Sequence, residues 1–407
     1  MRIMKYELMT LDDVDVKGKK VLIRFDLNST VTIDDPVIKD TLRLDEIKET
    51  LDDLKEAAVI ILAHQGRKGK KDFTSLRPHA DILEKMYGTR FKFVDDTIGE
   101  KAVNAIKQLK PGDILLLENV RFLEEETQKG TPEELSKTKF VQTLAPLVDI
   151  FVNDAYGAAH RGQTSLVGFT PVLPSYIGRI LEQEIEVMEK ILTKPDKPMI
   201  YVIGGAKVET KFKVLKNLLE NNKADKILVC GLLQNIMLAG AGVEIQDINK
   251  KPIKGFDDYI ATAKEIYDKY KDKLVLPVDL AINKNNERIE VELGNIPTDF
   301  PSNDIGHKTV EKFLSIIKEA GTIAANGPAG VFENPNFAFG SKEILHAMAD
   351  SKAYSIVGGG EMGGYANTLK LDMNFISTGG GAMLEYLTGK KLPVIAALEK
   401  AAQRMQS

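Results

Sequence analysis

The stretch Met199-Ile-Tyr-Val-Ile-Gly-Gly-Ala-Lys-Val-Glu-Thr-Lys211 decides the fold. Its first five residues are apolar and mostly β-branched, the pattern of a strand buried on both faces. Two glycines break the run, and the residues beyond them read as the start of a helix. A strand that passes into a helix through a glycine turn is one step of a parallel sheet covered by helices. The turn also has a chemical use. Glycines let the backbone approach a phosphate, a helix start presents free N–H groups, and Lys207 and Lys211 lie one turn apart. The strict G-x-x-x-x-G-K-[ST] phosphate loop occurs nowhere in the chain.

Similar apolar runs recur on either side. Val21–Phe25, Ala58–Leu62, Phe91–Val94, Ile114–Leu117 and Asp149–Val152 precede the stretch; Lys226–Cys230, Leu274–Val278, Thr322–Ala325, Tyr354–Val357 and Asn374–Ser377 follow it. Most are separated by amphipathic segments of helical length. A chain of 407 residues exceeds what one core organises. The expected fold is therefore α/β: two doubly wound parallel-sheet domains of similar size joined by a helix, with a cleft between them. The joining helix is read from Leu181, Ile185, Met188 and Leu192 at helical spacing, ended by the turn-rich Thr193-Lys-Pro-Asp-Lys-Pro198. This gives a first domain over 1–177, an interdomain helix over 178–193 and a second domain from 194 to 390.

Composition narrows the class. With 43% hydrophobic and 28% charged residues the chain is that of a folded protein, and a net charge of −4 provides no global field for nucleic acid or anionic lipid. The single cysteine, Cys230, lies in an apolar run and reads as a small buried hydrophobe. The opening Met1–Glu7 has no apolar signal core, and no run of about 18 apolar residues occurs, so we expect a cytoplasmic protein.

Ligands of doubly wound sheets bind beyond the carboxyl ends of the strands. In the first half those ends read Arg24-Phe-Asp-Leu-Asn28, Ala63-His-Gln-Gly-Arg67, Glu118-Asn-Val-Arg-Phe122 and Asn153-Asp-Ala-Tyr-Gly-Ala-Ala-His-Arg161. If the strands are neighbours, His64, Arg67, Arg121 and Arg161 converge at one sheet edge. Each alone has a bland explanation as a surface or core group; together they suit a small, multiply charged anion. No second His or Cys lies at zinc-ligand spacing from His64. In the second half, Ala325–Glu333 and Ile356–Gly364 add glycine-bearing strand ends to Gly204 and Gly205. Gly358, Gly360 and Gly363 form a G-x-G-x-x-G, which raises a nucleotide-dependent dehydrogenase as an alternative. That fingerprint expects an acidic residue closing the next strand, whereas Asn374–Thr378 ends in hydroxyl residues.

Taken in order, these segments resemble phosphoglycerate kinase, in an archaeal-like variant, from end to end. The resemblance rests on Arg24–Asn28, Asp40-Thr-Leu-Arg43, Ala63–Arg67, Leu76-Arg-Pro78, Leu116–Phe122, Phe151–Gly157 with Ala159-His-Arg161, Gly204–Val208, Leu276-Pro-Val-Asp279, Asn326-Gly-Pro328, Gly330–Glu333, Gly358–Gly360 and Ser377–Ala382. It implies that the first domain binds 3-phosphoglycerate or 1,3-bisphosphoglycerate through Asp26, Asn28, Arg43, His64, Arg67, Arg121 and Arg161. It implies that the second domain binds ATP or ADP with Mg2+ through Gly204, Gly205, Lys211, Asn326, Glu333, Gly358, Gly359, Gly360, Glu361 and Met362. Arg43, Lys207 and Lys211 become the catalytic candidates, Glu361 the metal ligand, and 391–407 a segment that packs back on the first domain. A monomer that bends at a hinge, acting in glycolysis and gluconeogenesis, is the corresponding expectation.

Three departures stand out. Ala63-His-Gln-Gly-Arg-Lys68 replaces the usual Ser-His-Leu-Gly-Arg-Pro, and Ala325 replaces the usual Trp. Gly358-Gly-Gly-Glu-Met362 replaces Gly-Gly-Gly-Asp followed by a hydroxyl residue, which opens a second alternative: a nucleotide-binding relative with impaired catalysis. The reaction needs no general base, because the attacking carboxylate is already ionised at neutral pH. Alignment and charge then carry catalysis, with domain closure excluding water.

Overall fold

The structure, a computed structural model, describes residues 7–32, 37–38, 41–296 and 299–406. Asp40 of the Asp40–Arg43 motif and the ends of the first domain and last segment, 1–6 and 407, lie outside the described residues. The chain divides into two compact units, 1–187 with 391–407, and 188–390.

The first unit is built on six strands: β1 (Lys20–Phe25), β2 (Ala58–Leu62), β3 (Phe91–Val94), β4 (Ile114–Leu117), β5 (Ile150–Asp154) and β6 (Ser175–Ile177). All pair in parallel, in the order β3-β4-β2-β1-β5-β6. Side chains alternate between the faces of a strand, and here both faces are apolar. Val21, Ile23, Val59, Ile61, Leu116 and Val152 enter one core, while Leu22, Ile60, Leu62, Leu115 and Phe151 enter another. Double burial is why these strands read as unbroken apolar runs. The strands β4, β2, β1 and β5 are consecutive in the sheet, so their carboxyl ends lie side by side.

A buried polar knot fixes the helix Arg179–Thr193 to this sheet. Asp154, at the end of β5, accepts from Thr50 Oγ1 at 2.6 Å and from Leu181 N at 2.8 Å. Thr50 Oγ1 in turn accepts from Arg179 N at 3.1 Å. Burial pushes the Asp154 carboxyl up to about 7. The helix Pro393–Gln406 also belongs to this unit; Val394 N donates to Ala159 O and Arg404 Nη2 to Leu173 O.

The second unit contains β7 (Met199–Ile203), β8 (Lys226–Val229), β9 (Leu274–Val275), β10 (Asp279–Lys284), β11 (Glu287–Glu292), β12 (Ser302–Ile305), β13 (Thr322–Asn326), β14 (Tyr354–Gly358) and β15 (Phe375–Ser377). Six of them form a parallel sheet in the order β15-β14-β13-β7-β8-β9. Ile200, Val202, Leu228, Cys230, Ile323, Ala325 and Val357 fill the core on one face. The cysteine is buried, and desolvation pushes its thiol up to about 12.

A second, antiparallel sheet of order β11-β10-β12 was not among the expected elements. Its signals were present: Glu287–Glu292 alternates charged and apolar residues, and Lys284 pairs with Glu287 across a two-residue loop. That loop, Asn285-Asn286, has φ of 52° and 68°. Two positive φ values are what a type I′ hairpin turn requires, and Asn tolerates them. The expected Leu274–Val278 strand is shorter, because Pro277 cannot donate to a ladder.

Candidate functional site

The sites are read from the carboxyl ends of the two parallel sheets. In the first unit, Arg24 sits inside β1 and is fully buried. Its Nε donates to Ser165 Oγ at 2.9 Å, its Nη1 to Phe25 O, and its Nη2 lies 2.8 Å from His64 Nδ1. Ser165 passes the connection on, donating from Oγ and from N to the buried Glu126 carboxylate, each at 2.8 Å.

Asp26 and Asn28 follow β1. Asp26 makes an ion pair with Arg43, which lies in the first turn of the helix Leu42–Glu46. Burial pushes the Asp26 carboxyl up, but Arg43 and the other basic neighbours overcome it and hold it below the ordinary carboxylate range. Asn28 Oδ1 accepts from Gly66 N at 2.8 Å, and Gly66 O accepts from Arg121 Nη1. The Gly66 backbone thus ties three strand ends together.

The substituted Gln65 also has a structural task. It is buried, accepts from Ser29 N at 3.0 Å and donates to Ser29 O and Asp72 O. Asn119 clamps the next loop, donating to Gln65 O and Thr74 O at 2.8 Å and accepting from Arg121 N.

His64 is almost fully buried, and desolvation followed by the charges of Arg24, Arg121 and Arg161 pushes its imidazole well below its ordinary value. Arg121 is lowered to about 10 by burial and then by Arg161 and Arg24. Arg161 is lowered by burial and further by Arg67 and Arg43, while Asp26 opposes the shift. These mutual repulsions arise only among charges held close together. Arg67, Arg121 and Arg161 line a cavity of about 580 Å3, with Lys68, Phe122 and Gln163 on its walls. His64, Arg67, Arg121 and Arg161 are therefore brought together, with Asp26, Asn28 and Arg43 joined to them. Such an array can neutralise a small polyanion.

Arg24, Ser165 and Glu126 were not picked out from the sequence. A charge inside the apolar run Val21-Leu-Ile-Arg-Phe25 was the available signal for Arg24. Glu126 stands in Glu124-Glu-Glu126, which reads as a solvated acidic turn, and Ser165 carried no signal.

In the second unit the lining is mostly backbone. Gly204 and Gly205 follow β7, Gly231 follows β8, Asn326 and Gly327 close β13, and Gly358–Gly360 close β14. The helices Val208–Glu220, Gly231–Gly240, Gly360–Thr368 and Gly380–Leu387 all start at this edge. Gly231 has φ +58°, and a Cβ there would strike the Gly205 backbone. Gly359 has φ +99°, and a Cβ on Gly380 would strike its Cα. The turns pack so closely that a side chain has no room, which leaves helix N–H groups at the edge.

Lys211 lies in the first turn of Val208–Glu220 and is 3% exposed. Its Nζ donates to Asn326 O at 2.9 Å and to Gly204 O. Desolvation lowers it to about 8, opposed by Cys230 and Glu361. Lys207 precedes that helix and is exposed; Glu361, in the first turn of Gly360–Thr368, is exposed as well. Their side chains form no hydrogen bond or ion pair among the described residues. Glu333 stands exposed on the loop after β13. The Met362 side chain is 1% exposed and packs into the core, so toward the edge it has only its backbone N–H to offer.

Among the described residues no group of three or more His, Cys, Asp or Glu side chains is placed to hold a metal ion, and no helix is long and apolar enough to cross a membrane.

Comparisons with known proteins agree over nearly the whole chain. The family model described as phosphoglycerate kinase matches residues 11–390. The phosphoglycerate kinase of Methanothermobacter thermautotrophicus is 43% identical over 402 residues, covering 97% of this chain and 98% of that one. That of Methanothermus fervidus is 42% identical over 405 residues, covering 98% of each. Among solved structures, phosphoglycerate kinase from Pyrococcus horikoshii OT3 superposes with a TM-score of 0.90 at 37% identity, covering 98% of this chain and 100% of that one. The enzyme from Coxiella burnetii gives 0.79 at 32% identity, covering 97% and 100%.

Proposed function

We propose a division of labour that starts from one fact: this chain belongs to the phosphoglycerate kinase family. It is a kinase that moves a phosphoryl group reversibly between 1,3-bisphosphoglycerate and ADP, giving 3-phosphoglycerate and ATP. The first unit holds the phosphoglycerate through Asp26, Asn28, Arg43, His64, Arg67, Arg121 and Arg161. The second holds the nucleotide through Gly204, Gly205, Lys211, Asn326, Glu333, Gly358, Gly359, Gly360, Glu361 and the backbone of Met362. The observation that carries this reading is the meeting of His64, Arg67, Arg121 and Arg161 at adjacent strand ends.

The chemistry asked of these residues is electrostatic. The phosphoryl group in flight spreads charge over three oxygens, and preorganised donors stabilise it. Arg43 is oriented by the ionised Asp26, so its planar fork is in place before substrate arrives. Lys211 is charged at neutral pH, and its ammonium rests on two backbone carbonyls. It exchanges a carbonyl for a phosphate oxygen at little cost in reorganisation.

The residues present fit Mg2+. This ion keeps several waters and takes one or two carboxylates plus substrate phosphates rather than a protein cage. Glu361, exposed at a helix start and without a hydrogen-bond partner among the described residues, is such a carboxylate. When bound, Mg2+ neutralises phosphate charge. The longer Glu361 side chain would hold the ion directly or through a water, and the N–H groups after Gly360 would serve the phosphates.

A coupled assay with 3-phosphoglycerate, MgATP and excess glyceraldehyde-3-phosphate dehydrogenase tests the reading. NADH oxidation that requires both substrates is expected. A folded chain that binds MgADP without turning over would instead identify the impaired relative.

A further inference from the structure

We propose that Arg24, held by Ser165 and Glu126, is a positioning residue that fixes the His64 imidazole as its Nε2–H tautomer, so that His64 meets the anionic substrate as a neutral hydrogen-bond donor. The argument begins with a donor count. A guanidinium has five N–H groups and no acceptor. Arg24 Nη2 lies 2.8 Å from His64 Nδ1, so Nδ1 must accept and carries no proton. The remaining proton of a neutral imidazole is then on Nε2. An imidazolium would place a second donor and a second positive charge against Arg24.

Arg24 cannot turn away from this contact. Its Nε is engaged by Ser165 Oγ at 2.9 Å and its Nη1 by Phe25 O. The Ser165 hydroxyl spends its proton on Glu126, which leaves an oxygen lone pair facing the guanidinium. Direction therefore propagates along one buried line: Arg24 donates to Ser165, Ser165 to Glu126, and Arg24 to His64. Arg24, Ser165 and Glu126 are 0% exposed and His64 is 2% exposed, so water offers no competing partner.

The charged groups facing His64 from the neighbouring elements are Arg24 within β1, Asp26 after β1, Arg121 after β4 and Arg161 after β5. Three of the four are cations, and burial acts in the same direction. The consequence is chemical. With the proton on Nε2 an approaching carboxylate or phosphate oxygen meets a donor; with the other tautomer it would meet a lone pair. Binding through His64 is then independent of pH across the neutral range, while the surrounding arginines supply the charge.

The substrate role of His64 rests on the function proposed above, but its tautomer does not, and it is read in the ligand-free chain. Five histidines make the full chain tractable by long-range 1H–15N correlation after 15N-histidine labelling. We expect a His64 signal, assigned through His64→Gln, with Nε2 protonated, Nδ1 unprotonated and no titration between about pH 6 and about pH 8. An Nδ1–H tautomer, or a midpoint at or above about 6.5, would overturn the proposal. Arg24→Met removes one of the charges that lower His64 but not its burial, so the midpoint should rise while staying below about 6.5, an Nδ1–H form should appear, and KM for 3-phosphoglycerate should come to depend on pH toward the acid side, with kcat changing less. Ser165→Ala should yield a mixture of tautomers, and Ser165→Thr should restore the single one. Unchanged His64 signals in folded Arg24→Met or Ser165→Ala would show that the line positions nothing. The wild-type spectrum decides the tautomer even if neither variant folds.

Discussion

At the strand ends of the first sheet Arg24, Arg43, Arg121 and Arg161 stand close enough to perturb one another, with His64 among them. At those of the second sheet the lining is glycine and helix N-termini, with Lys207, Lys211 and Glu361 as charged groups. The first site is made of side chains and must bury charge. It therefore needs the carboxylates Asp26 and Glu126 and a web of amides to hold the guanidiniums in place. The second is made of backbone and must keep side chains out. Its constraint runs the other way: a Cβ added at Gly231 would strike the Gly205 backbone.

If that contrast is right, damage in the two regions should take different forms. Arg43→Ala removes a preorganised charge donor, and kcat should fall roughly a hundredfold or more with a smaller change in KM. A loss confined to KM would make Arg43 a substrate anchor. Gly231→Ala should act on the fold of the nucleotide turn. Denaturant unfolding should lose about 1–3 kcal/mol, because the new Cβ strains a φ of +58° and collides with Gly205. Unchanged stability would show that the turn has room to shift. Glu361→Gln keeps the size and most of the helix-capping capacity but not the charge. A fall in kcat of about tenfold with a raised magnesium requirement is expected. Wild-type values would make Glu361 a structural residue.

The gentlest distinction is in pH, where no single group changes stability by more than about 1.4 kcal/mol per unit. Asp154 in the first unit is raised to about 7. The folded chain therefore binds the extra proton, and this stabilisation, complete below about pH 3.8, is lost as pH rises through 7. Lys211 in the second unit is lowered to about 8. There the unfolded chain binds the extra proton, so stability rises with pH from 8 toward about 10.4. Chemical denaturation across these windows should show opposite slopes, the first abolished by Asp154→Asn and the second by Lys211→Met. Slopes that survive in the variants would assign them to other groups.

Periodicity and punctuation carried much of this molecule. Apart from the short edge strand β6, both parallel sheets were legible because strands buried on both faces must be apolar throughout, a property of the residues alone. The glycine turns were legible for a related reason: where backbone meets backbone, only one residue type fits, and the site is written into local composition. His64, Arg67, Arg121 and Arg161 could be nominated because they follow apolar strands. What local sequence does not carry is adjacency. Whether these four basic residues meet depends on the order β3-β4-β2-β1-β5-β6, which arises from how strands separated by tens of residues pair. Ser165 and Glu126 acquire meaning only through Arg24, far away along the chain, and Glu126 looks like solvent-facing acid until it is found buried. The proton on His64 follows from a single contact of 2.8 Å between a residue of β1 and one beyond the end of β2. Charge, polarity and local conformation belong to the residue; burial, partner and protonation are set by what folding brings alongside it.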